Sequence, residues 1–256
     1  MIYFLSDLHL GARYFLDPRE QERMVCAWLR SIAPTAERIY LVGDVLDYWF
    51  EYRHVVPRGY VRFLGTLADL ADSGIEITWL IGNHDIWIYD YLPRELGVRV
   101  VDGILQETIG GKRFVIAHGD GLGPVPRAER LMRAVFRNRL LQRLFAAVHP
   151  RWTVGFAYWW SGENRKKHHT GDDARMADPA PLYQWVRERN AALPAAERPD
   201  FYIFGHYHEL ALRQIGGSQV AIIGDWIQNM SYATFDGEHV ELHRLENLKP
   251  HENLSI

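Results

Sequence analysis

Short runs of apolar, β-branched and aromatic residues recur along the chain, and a small polar cluster follows each of them. Such runs predict buried β-strands. The predicted strands span Ile2–Ser6, Arg38–Val42, Ile75–Ile81, Lys112–Ala117, Asp200–Phe204 and Gln219–Ile223. Helical patterns cover Pro18–Ile32, Arg58–Ser73 and Leu182–Ala192. This alternation predicts an α/β fold, in which ligands bind at the carboxyl ends of the strands.

The segment from 122 to 170 breaks this alternation. Its apolar residues recur at helical spacing with arginines between them, which predicts an amphipathic helix over 128–148. We interpret the segment as an inserted helical cap. The chain then divides into a core over 1–121 and 171–248, the cap over 122–170, and a loose tail over 249–256. Near the end, Gln219–Arg244 predicts short strands joined at an Asp236-Gly237 turn, which complete a sheet.

Composition and charge narrow the function classes. The chain has 256 residues, 48% of them hydrophobic, and a single cysteine, so the fold cannot depend on an internal disulfide. No signal peptide and no membrane-spanning apolar stretch are visible, which predicts a cytoplasmic protein with peripheral membrane contact at most. Residues 122–169 hold eight Arg and two Lys against two Glu, a net charge of +8, which leaves −11 elsewhere. A local basic island favours one anionic contact region over nucleic-acid binding.

The clusters after the strands supply carboxylate, imidazole and amide groups from five separate strand ends. They are Asp7-Leu8-His9, Gly43-Asp44, Gly82-Asn83-His84-Asp85, His118-Gly119-Asp120 and Gly205-His206-Tyr207-His208. Alternate positions in an extended loop point the same way, so Asp7 and His9 offer two ligands to one centre. The same holds for His206 and His208. Two divalent cations require such a mixed shell with a bridging carboxylate, for which Asp44 is the natural candidate.

Together and in this order, the clusters resemble the calcineurin-like metallophosphoesterase superfamily, whose pattern is D-x-H, GD, GNH[ED], H and GH-x-H. The resemblance covers roughly residues 1–210 and implies a four-layer α/β/β/α sandwich. It implies one metal held by Asp7, His9, Asp44 and His208. It implies a second held by Asp44, Asn83, His118 and His206, with a bridging hydroxide as nucleophile.

The same resemblance implies the acid of the reaction. His84 is expected to stabilise the transition state or protonate the leaving oxygen, with Asp85 orienting it. Sulfur ligands are absent from the set, which favours an open, water-bearing catalytic centre over a structural zinc site. Manganese is the metal that suits carboxylate, amide and imidazole ligands in such a site.

A finer resemblance is to the UDP-2,3-diacylglucosamine pyrophosphatases of the lipid A pathway. It rests on the run from Gly43 to Trp49, the His118-Gly119-Asp120 motif, and the size and place of the insertion. It implies cleavage of a nucleotide-linked glycolipid at an anionic inner-membrane surface, to give UMP and a diacylglucosamine 1-phosphate. The residues expected to contact this substrate are Asn83, His84, Asp120, Ser161, Asn164, Arg165, Lys166 and Lys167.

One position departs from that family, because its best-known members have Arg where this chain has His84. The alternative is a soluble phosphodiesterase or nucleotidase of the same superfamily with a polar substrate. A catalytically inactive metal-bearing scaffold is disfavoured because every ligand and the acid histidine are present. A DNA repair nuclease is disfavoured because no extended basic groove accompanies the metal motifs. Asp120 and Asp225 have two interpretations, as residues that orient a metal ligand or as turn caps. The sequence gives no oligomeric state.

Overall fold

The structure is a computed structural model that describes residues 1–153, 155 and 178–245. Its strands, in chain order, are β1 Ile2–Leu5, β2 Arg38–Val42, β3 Glu76–Leu80, β4 Arg99–Val101, β5 Leu105–Ile109, β6 Lys112–Ala117, β7 Phe201–Phe204, β8 Leu210–Ile215, β9 Ser218–Ile223, β10 Ser231–Phe235 and β11 Val240–Arg244. Its helices are α1 Pro18–Ile32, α2 Val61–Asp72, α3 Tyr91–Leu96, α4 Arg127–Arg137, α5 Arg139–Ala147 and α6 Ala180–Ala191. A 3₁₀ turn spans Ala195–Glu197.

The strands form two mixed sheets, which confirms the α/β prediction. One sheet has the order β11-β10-β1-β2-β3-β4, and the other β5-β6-β7-β9-β8. Within the first, β1 to β4 run parallel, and the β10–β11 hairpin predicted at the Asp236-Gly237 turn pairs antiparallel with β1. Within the second, β6, β7 and β9 run parallel. Parallel strands end at one edge of a sheet, so the clusters that follow them are brought together.

Side chains along the strands alternate between two cores. In β1, Ile2 and Phe4 enter a core shared by both sheets, while Tyr3 and Leu5 pack with residues of α1, α2 and α3. Strand β7 repeats the alternation, with its second set packed against α6. A one-residue slip in register would reverse both sets, so burial on the two faces fixes the register of these strands.

Two acidic side chains set where the first helices begin. Asp17 accepts hydrogen bonds from the backbone N–H groups of Arg19 and Glu20, and so caps α1 at Pro18. Buried Glu22 of α1 accepts from the N–H groups of Arg62 and Phe63, at 2.9 and 3.1 Å. Helix α2 therefore begins at Val61, three residues later than the sequence pattern predicts.

The single helix predicted over 128–148 is wrong, because two helices occupy this segment. Asn138 has an extended ψ of 116° and ends α4. Its side-chain oxygen then accepts from the N–H groups of Leu140 and Leu141, which starts α5. Neither helix contains a fully buried residue. Among the described residues, no helix combines the length and apolar character needed to cross a bilayer.

Aromatic contacts hold α4 and α5 against the loops that follow β2 and β3. The ring of Phe145 stacks on Trp87 at 5.6 Å and lies 5.0 Å from Phe50. The Trp87 indole donates a hydrogen bond to the carbonyl oxygen of Phe136 at 3.0 Å. The predicted division into core, cap and tail stays a prediction, since part of the cap and the whole tail lie outside the described residues.

Candidate metal centre

The clusters predicted from the sequence meet at one edge of the two sheets. Asp7 and His9 follow β1, Asp44 follows β2, and Asn83 follows β3. His118 follows β6, while His206 and His208 follow β7 of the other sheet. Three groups of side chains have ligand atoms within 4.8 Å of one another, namely Asp7/His9/His208, His9/Asp44/His84 and Asp44/His118/His206. The structure thus brings every predicted ligand of the strand ends to one place.

Asp7 is fully buried, and its two carboxylate oxygens have different surroundings. Oδ2 accepts from the backbone N–H of His206 at 2.9 Å and from the Ser6 hydroxyl. Oδ1 accepts no hydrogen bond within the described part of the chain and lies 3.6 Å from Nε2 of His208. Nε2 of His9 is 3.8 Å away. A buried carboxylate oxygen facing two imidazole nitrogens is an arrangement that a cation satisfies.

Asp44 lies between the first and the last of these groups. Its Oδ2 is 3.2 Å from Nε2 of His118 and 3.8 Å from Nε2 of His9. Its Oδ1 accepts from the backbone N–H of His84 at 2.8 Å. On the other side of the His118 ring, Nδ1 donates to the carbonyl oxygen of Val42 at 2.9 Å, which leaves Nε2 facing the centre. Nε2 also lies 3.2 Å from the Asn83 side-chain oxygen. The donor set fits two cations that share one carboxylate.

Backbone strain is concentrated in the same residues. Most non-glycine residues with left-handed φ in the described chain are ligand candidates: Asp7 at 55°, His9 at 44°, Asp44 at 51°, His206 at 67° and His208 at 52°. This conformation costs roughly 1 kcal/mol for an L-residue, and such strain clusters at functional sites. The pattern identifies the site without reference to any sequence motif.

Two glycines permit the close approach of the strand ends. A Cβ atom on Gly43, which has a φ of 83°, would lie 2.5 Å from Nδ1 of His118. A Cβ atom on Gly205 would collide with the hydroxyl of Ser6. Glycine is required at both positions because neighbouring side chains occupy the space that a Cβ would need.

In the metal-free site, burial and neighbouring charges shift the pKa values of Asp7, His118 and His206. Burial raises the pKa of Asp7, but the nearby His208, His9 and His118 outweigh it and lower that pKa to about 2. Burial lowers the pKa of His118, yet the adjacent Asp44 carboxylate outweighs it and raises that pKa to about 9. Burial and the charge of His118 lower the pKa of His206 to about 3. Without metal, His118 therefore carries a proton at neutral pH that a cation must displace, while His206 is already neutral.

The residue that orients His84 differs from the one expected. Nδ1 of His84 lies 3.0 Å from the carbonyl oxygen of Asp47 and 3.6 Å from the Asp47 carboxylate. The Asp85 carboxylate instead accepts from the N–H groups of Gly82 at 2.7 Å and Val45 at 3.0 Å. It also accepts from the Trp79 indole at 3.1 Å. Asp85 therefore fixes the loop that carries Asn83 and His84. The prediction that Asp85 orients the His84 ring is wrong, because Asp47 is the residue that contacts Nδ1 of that ring.

Asp47 is the main residue that the sequence reasoning missed. Its carboxylate also lies 3.3 Å from Nδ1 of His9, so it contacts a predicted ligand and the predicted acid together. Its position three residues after Asp44 in Gly43-Asp44-Val45-Leu46-Asp47 was the available signal. A buried carboxylate on the outer nitrogen of a ligand histidine fixes both its tautomer and its orientation.

The two aspartates with open interpretations have different roles. Asp225 both caps a turn and orients a predicted ligand. Its Oδ1 accepts from three backbone N–H groups of the 227–229 turn, and its Oδ2 lies 3.4 Å from Nδ1 of His208. Asp120 pairs with Arg133 of α4 and so joins the loop after β6 to the cap. The remaining predicted substrate contacts, Ser161, Asn164, Arg165, Lys166 and Lys167, lie outside the described residues.

Comparison with known proteins gives the family and near relatives. A family model described as calcineurin-like phosphoesterase matches residues 1–210. A UDP-2,3-diacylglucosamine hydrolase of Porphyromonas gingivalis is 46% identical over 97% of this chain and 98% of its own length. Proteins of the same name from Haemophilus influenzae and Neisseria meningitidis are 26% and 27% identical. These alignments cover 89% and 88% of this chain, and 91% and 89% of the relatives.

Proposed function

This chain belongs to the calcineurin-like phosphoesterase family, as its ordered clusters predicted, and we propose that it hydrolyses the pyrophosphate bond of UDP-2,3-diacylglucosamine. The products are UMP and 2,3-diacylglucosamine 1-phosphate. The observation that carries the proposal is the pair of His/Asp groups that share Asp44, in a chain that aligns along its whole length with a hydrolase of that substrate. A phosphate ester or anhydride needs a clamp of this kind at the phosphorus.

We propose that two divalent cations occupy the centre, and the ligand chemistry favours Mn²⁺. The first set of ligands is Asp7, His9, Asp44 and His208, and the second is Asp44, Asn83, His118 and His206. When bound, such ions lower the pKa of a coordinated water and neutralise phosphoryl charge. Asp47 and Asp225 hold the outer nitrogens of His9 and His208, so the ligand rings are oriented before metal arrives.

His84 acts as the acid or as the electrostatic partner of the leaving oxygen. The Asp47 carbonyl can only accept, so Nδ1 of His84 carries a proton and donates to it. Nε2 is then the nitrogen available to the substrate. The Asp47 carboxylate lies 3.6 Å from Nδ1.

The cap and the location complete the proposal. We propose an α/β/β/α layer order with the cap inserted over 122–170, and a cytoplasmic enzyme that binds peripherally to the inner membrane. Support comes from α4 and α5, which expose Leu131, Leu140 and Leu144 beside arginines. Such a surface suits an anionic bilayer, with acyl chains against the apolar face.

The test is product analysis by mass spectrometry after incubation of the protein with Mn²⁺, detergent and UDP-2,3-diacylglucosamine. We expect UMP and the lipid 1-phosphate, both lost in Asp44→Ala. The competing function, a phosphodiesterase with a polar substrate, is motivated by His84 in place of Arg. It is supported if the lipid is left intact while Mn²⁺-dependent hydrolysis of bis(p-nitrophenyl) phosphate persists.

A further inference from the structure

Helix α5 and the loops after β2 and β3 line an open cavity of about 310 Å³. The rings of Phe50 and Tyr89 line one side of it. Arg139, Gln142 and Arg143 of α5 line the other. Phe50 follows Asp44 by six residues and Tyr89 follows His84 by five, so the cavity is built on the same two loops that carry the metal centre.

The walls of this cavity are fixed by contacts of their own. Glu51, the acid in the cavity wall, accepts from the N–H groups of Tyr89 at 2.7 Å and Asp90 at 2.9 Å, and from the Trp49 indole at 3.1 Å. The Phe50 ring lies 5.0 Å from Phe145 of α5. These donors fix the position of the Glu51 carboxylate, and no ion pair joins it to an arginine of α5 within the described residues.

The arginines of the cavity differ from those of the preceding helix. Arg133 and Arg137 of α4 pair with Asp120 and Asp102. Arg139 and Arg143 lie one turn apart on α5, are exposed, and form no ion pair with an acid in the described part of the chain. These two guanidinium groups outnumber the single acid of the cavity wall, Glu51, and two adjacent guanidinium groups suit an anion with several oxygens.

The Tyr89 hydroxyl adds a hydrogen-bond donor. Burial, with a contribution from the Glu51 charge, raises the pKa of Tyr89 to about 12, so the phenol stays protonated at neutral pH. A neutral phenol complements an oxyanion, whereas a phenolate would repel it. Donors therefore face the cavity from the core side as well as from α5.

The neighbouring stripe of α5 is apolar and open to solvent. Leu140, Leu144 and Val148 follow Arg139 and Arg143 around the helix, and they are 64%, 58% and 40% exposed. An anion held by the arginines would have its own apolar part directed along this stripe. A cavity with two arginines beside an exposed apolar face suits the headgroup and the acyl chains of an anionic phospholipid.

We propose that the cavity between α5 and Tyr89 binds the headgroup phosphate of an anionic bilayer phospholipid, a second lipid distinct from the substrate. This rests on the membrane-binding part of the proposed function. The bound lipid holds α5 at headgroup depth beside the metal centre. Residues 127–153 carry seven arginines against the single acid Glu129, a charge balance that complements an anionic leaflet.

The test titrates the intact, Mn²⁺-loaded protein with dihexanoyl phosphatidylglycerol below its critical micelle concentration, followed by calorimetry. We expect saturable binding of one lipid, and at least a tenfold weaker Kd in R139Q/R143Q. The matched control is R127Q/R130Q, which removes the same charge from exposed positions of the cap outside the cavity and should stay within twofold. Dihexanoyl phosphatidylcholine, whose headgroup is zwitterionic, should bind more weakly than phosphatidylglycerol.

Three outcomes would overturn the proposal. Equal losses in the two double variants would mean diffuse attraction to the whole cap. Glycerol phosphate that binds as tightly as the lipid would identify a free-phosphate site. Competition by UDP would make the cavity part of the substrate site. Lipid binding without UMP release would count against the proposed function alone, and UMP release without lipid binding would count against the cavity alone.

Discussion

The metal centre and the cap helices are adjacent but are held in opposite ways. Asp7 and Asp44 are 0% and 2% exposed, and each is fixed by hydrogen bonds from backbone N–H groups. Helices α4 and α5 bury no residue fully and rest on two half-buried rings, two Arg–Asp pairs and the Trp87 hydrogen bond. The proposed chemistry thus lies on rigid strand ends, while the proposed lipid contact lies on a surface that can change without disturbing them.

The largest effect is expected from a substitution in the metal centre, the more rigid of the two regions. Asp44→Ala removes the carboxylate shared by two ligand groups, so kcat should fall by about 10³-fold or more on lipid and soluble substrates alike. Bound Mn²⁺, measured by elemental analysis after gel filtration, should fall as well. A variant with full metal content and full activity would end the two-metal proposal.

The next largest effects are expected from substitutions of Asp47 and Asp85, which have different roles. Asp47→Asn should lower kcat by about 10–100-fold with little change in Tm, because the Asp47 carboxylate faces Nδ1 of both His9 and His84. Asp85→Asn replaces one of the two accepting oxygens by an amide N–H₂, which then faces one or two of the three N–H donors, and should cost about 1–3 kcal/mol of stability. Steady-state kinetics and thermal melts on both variants test this assignment. A kcat loss in Asp85→Asn without a Tm change would restore the role first expected for Asp85.

A third prediction separates anchoring from lipid contact within the cap. Phe145 packs on Phe50 and Trp87, whereas its neighbour Leu144 is 58% exposed. Phe145→Asp should detach α5 and lower lipid turnover by about tenfold or more, with a lower Tm. Leu144→Asp should weaken vesicle binding by about fivefold and leave Tm unchanged. Hydrolysis of a soluble phosphodiester should survive both changes. A loss of that activity in Leu144→Asp would mean that the cap is part of the catalytic centre.

The smallest effect is a pH dependence of the metal-free protein. His118 has a pKa of about 9, above its ordinary value of about 6.5, so it stabilises the fold fully below pH 6.5. That contribution, on the order of 3 kcal/mol, is lost as the pH rises through 9. Thermal melts of the metal-free protein should therefore decline between pH 6.5 and 9. With Mn²⁺ bound the decline should vanish, because binding releases the proton. His118→Asn is the control and should show no decline in either state.

Sequence reasoning succeeded where a local pattern determines the structure. The strand over 38–42, the helix over 18–32 and every ligand at a strand end were predicted, because apolar runs and D-x-H or GH-x-H spacings are local features. The two-sheet arrangement required the family resemblance as well. Strands β5 and β8 were missed, since both lie on the edge of a sheet and give a weak apolar signal: β5 alternates exposed and buried residues, and β8 buries only Ile215.

Tertiary contacts account for the other differences. The helix break at Asn138 depends on a side chain that can sit inside a helix or cap one, and spacing alone does not distinguish the two. The exchange of roles between Asp47 and Asp85 depends on which donors surround each carboxylate. Gly82, Val45 and Trp79 converge on Asp85 only after the strands have paired. No local pattern carries that information.

The left-handed backbone of the ligand residues has a consequence for engineering. Glycine adopts this conformation freely, whereas the aspartates and histidines at these positions bear the cost of backbone strain. Selection of variants for heat resistance alone would therefore favour replacements at the positions that hold the metal. Thermal tolerance and turnover are opposed at these few residues, so a stability screen on this protein should be run with metal present.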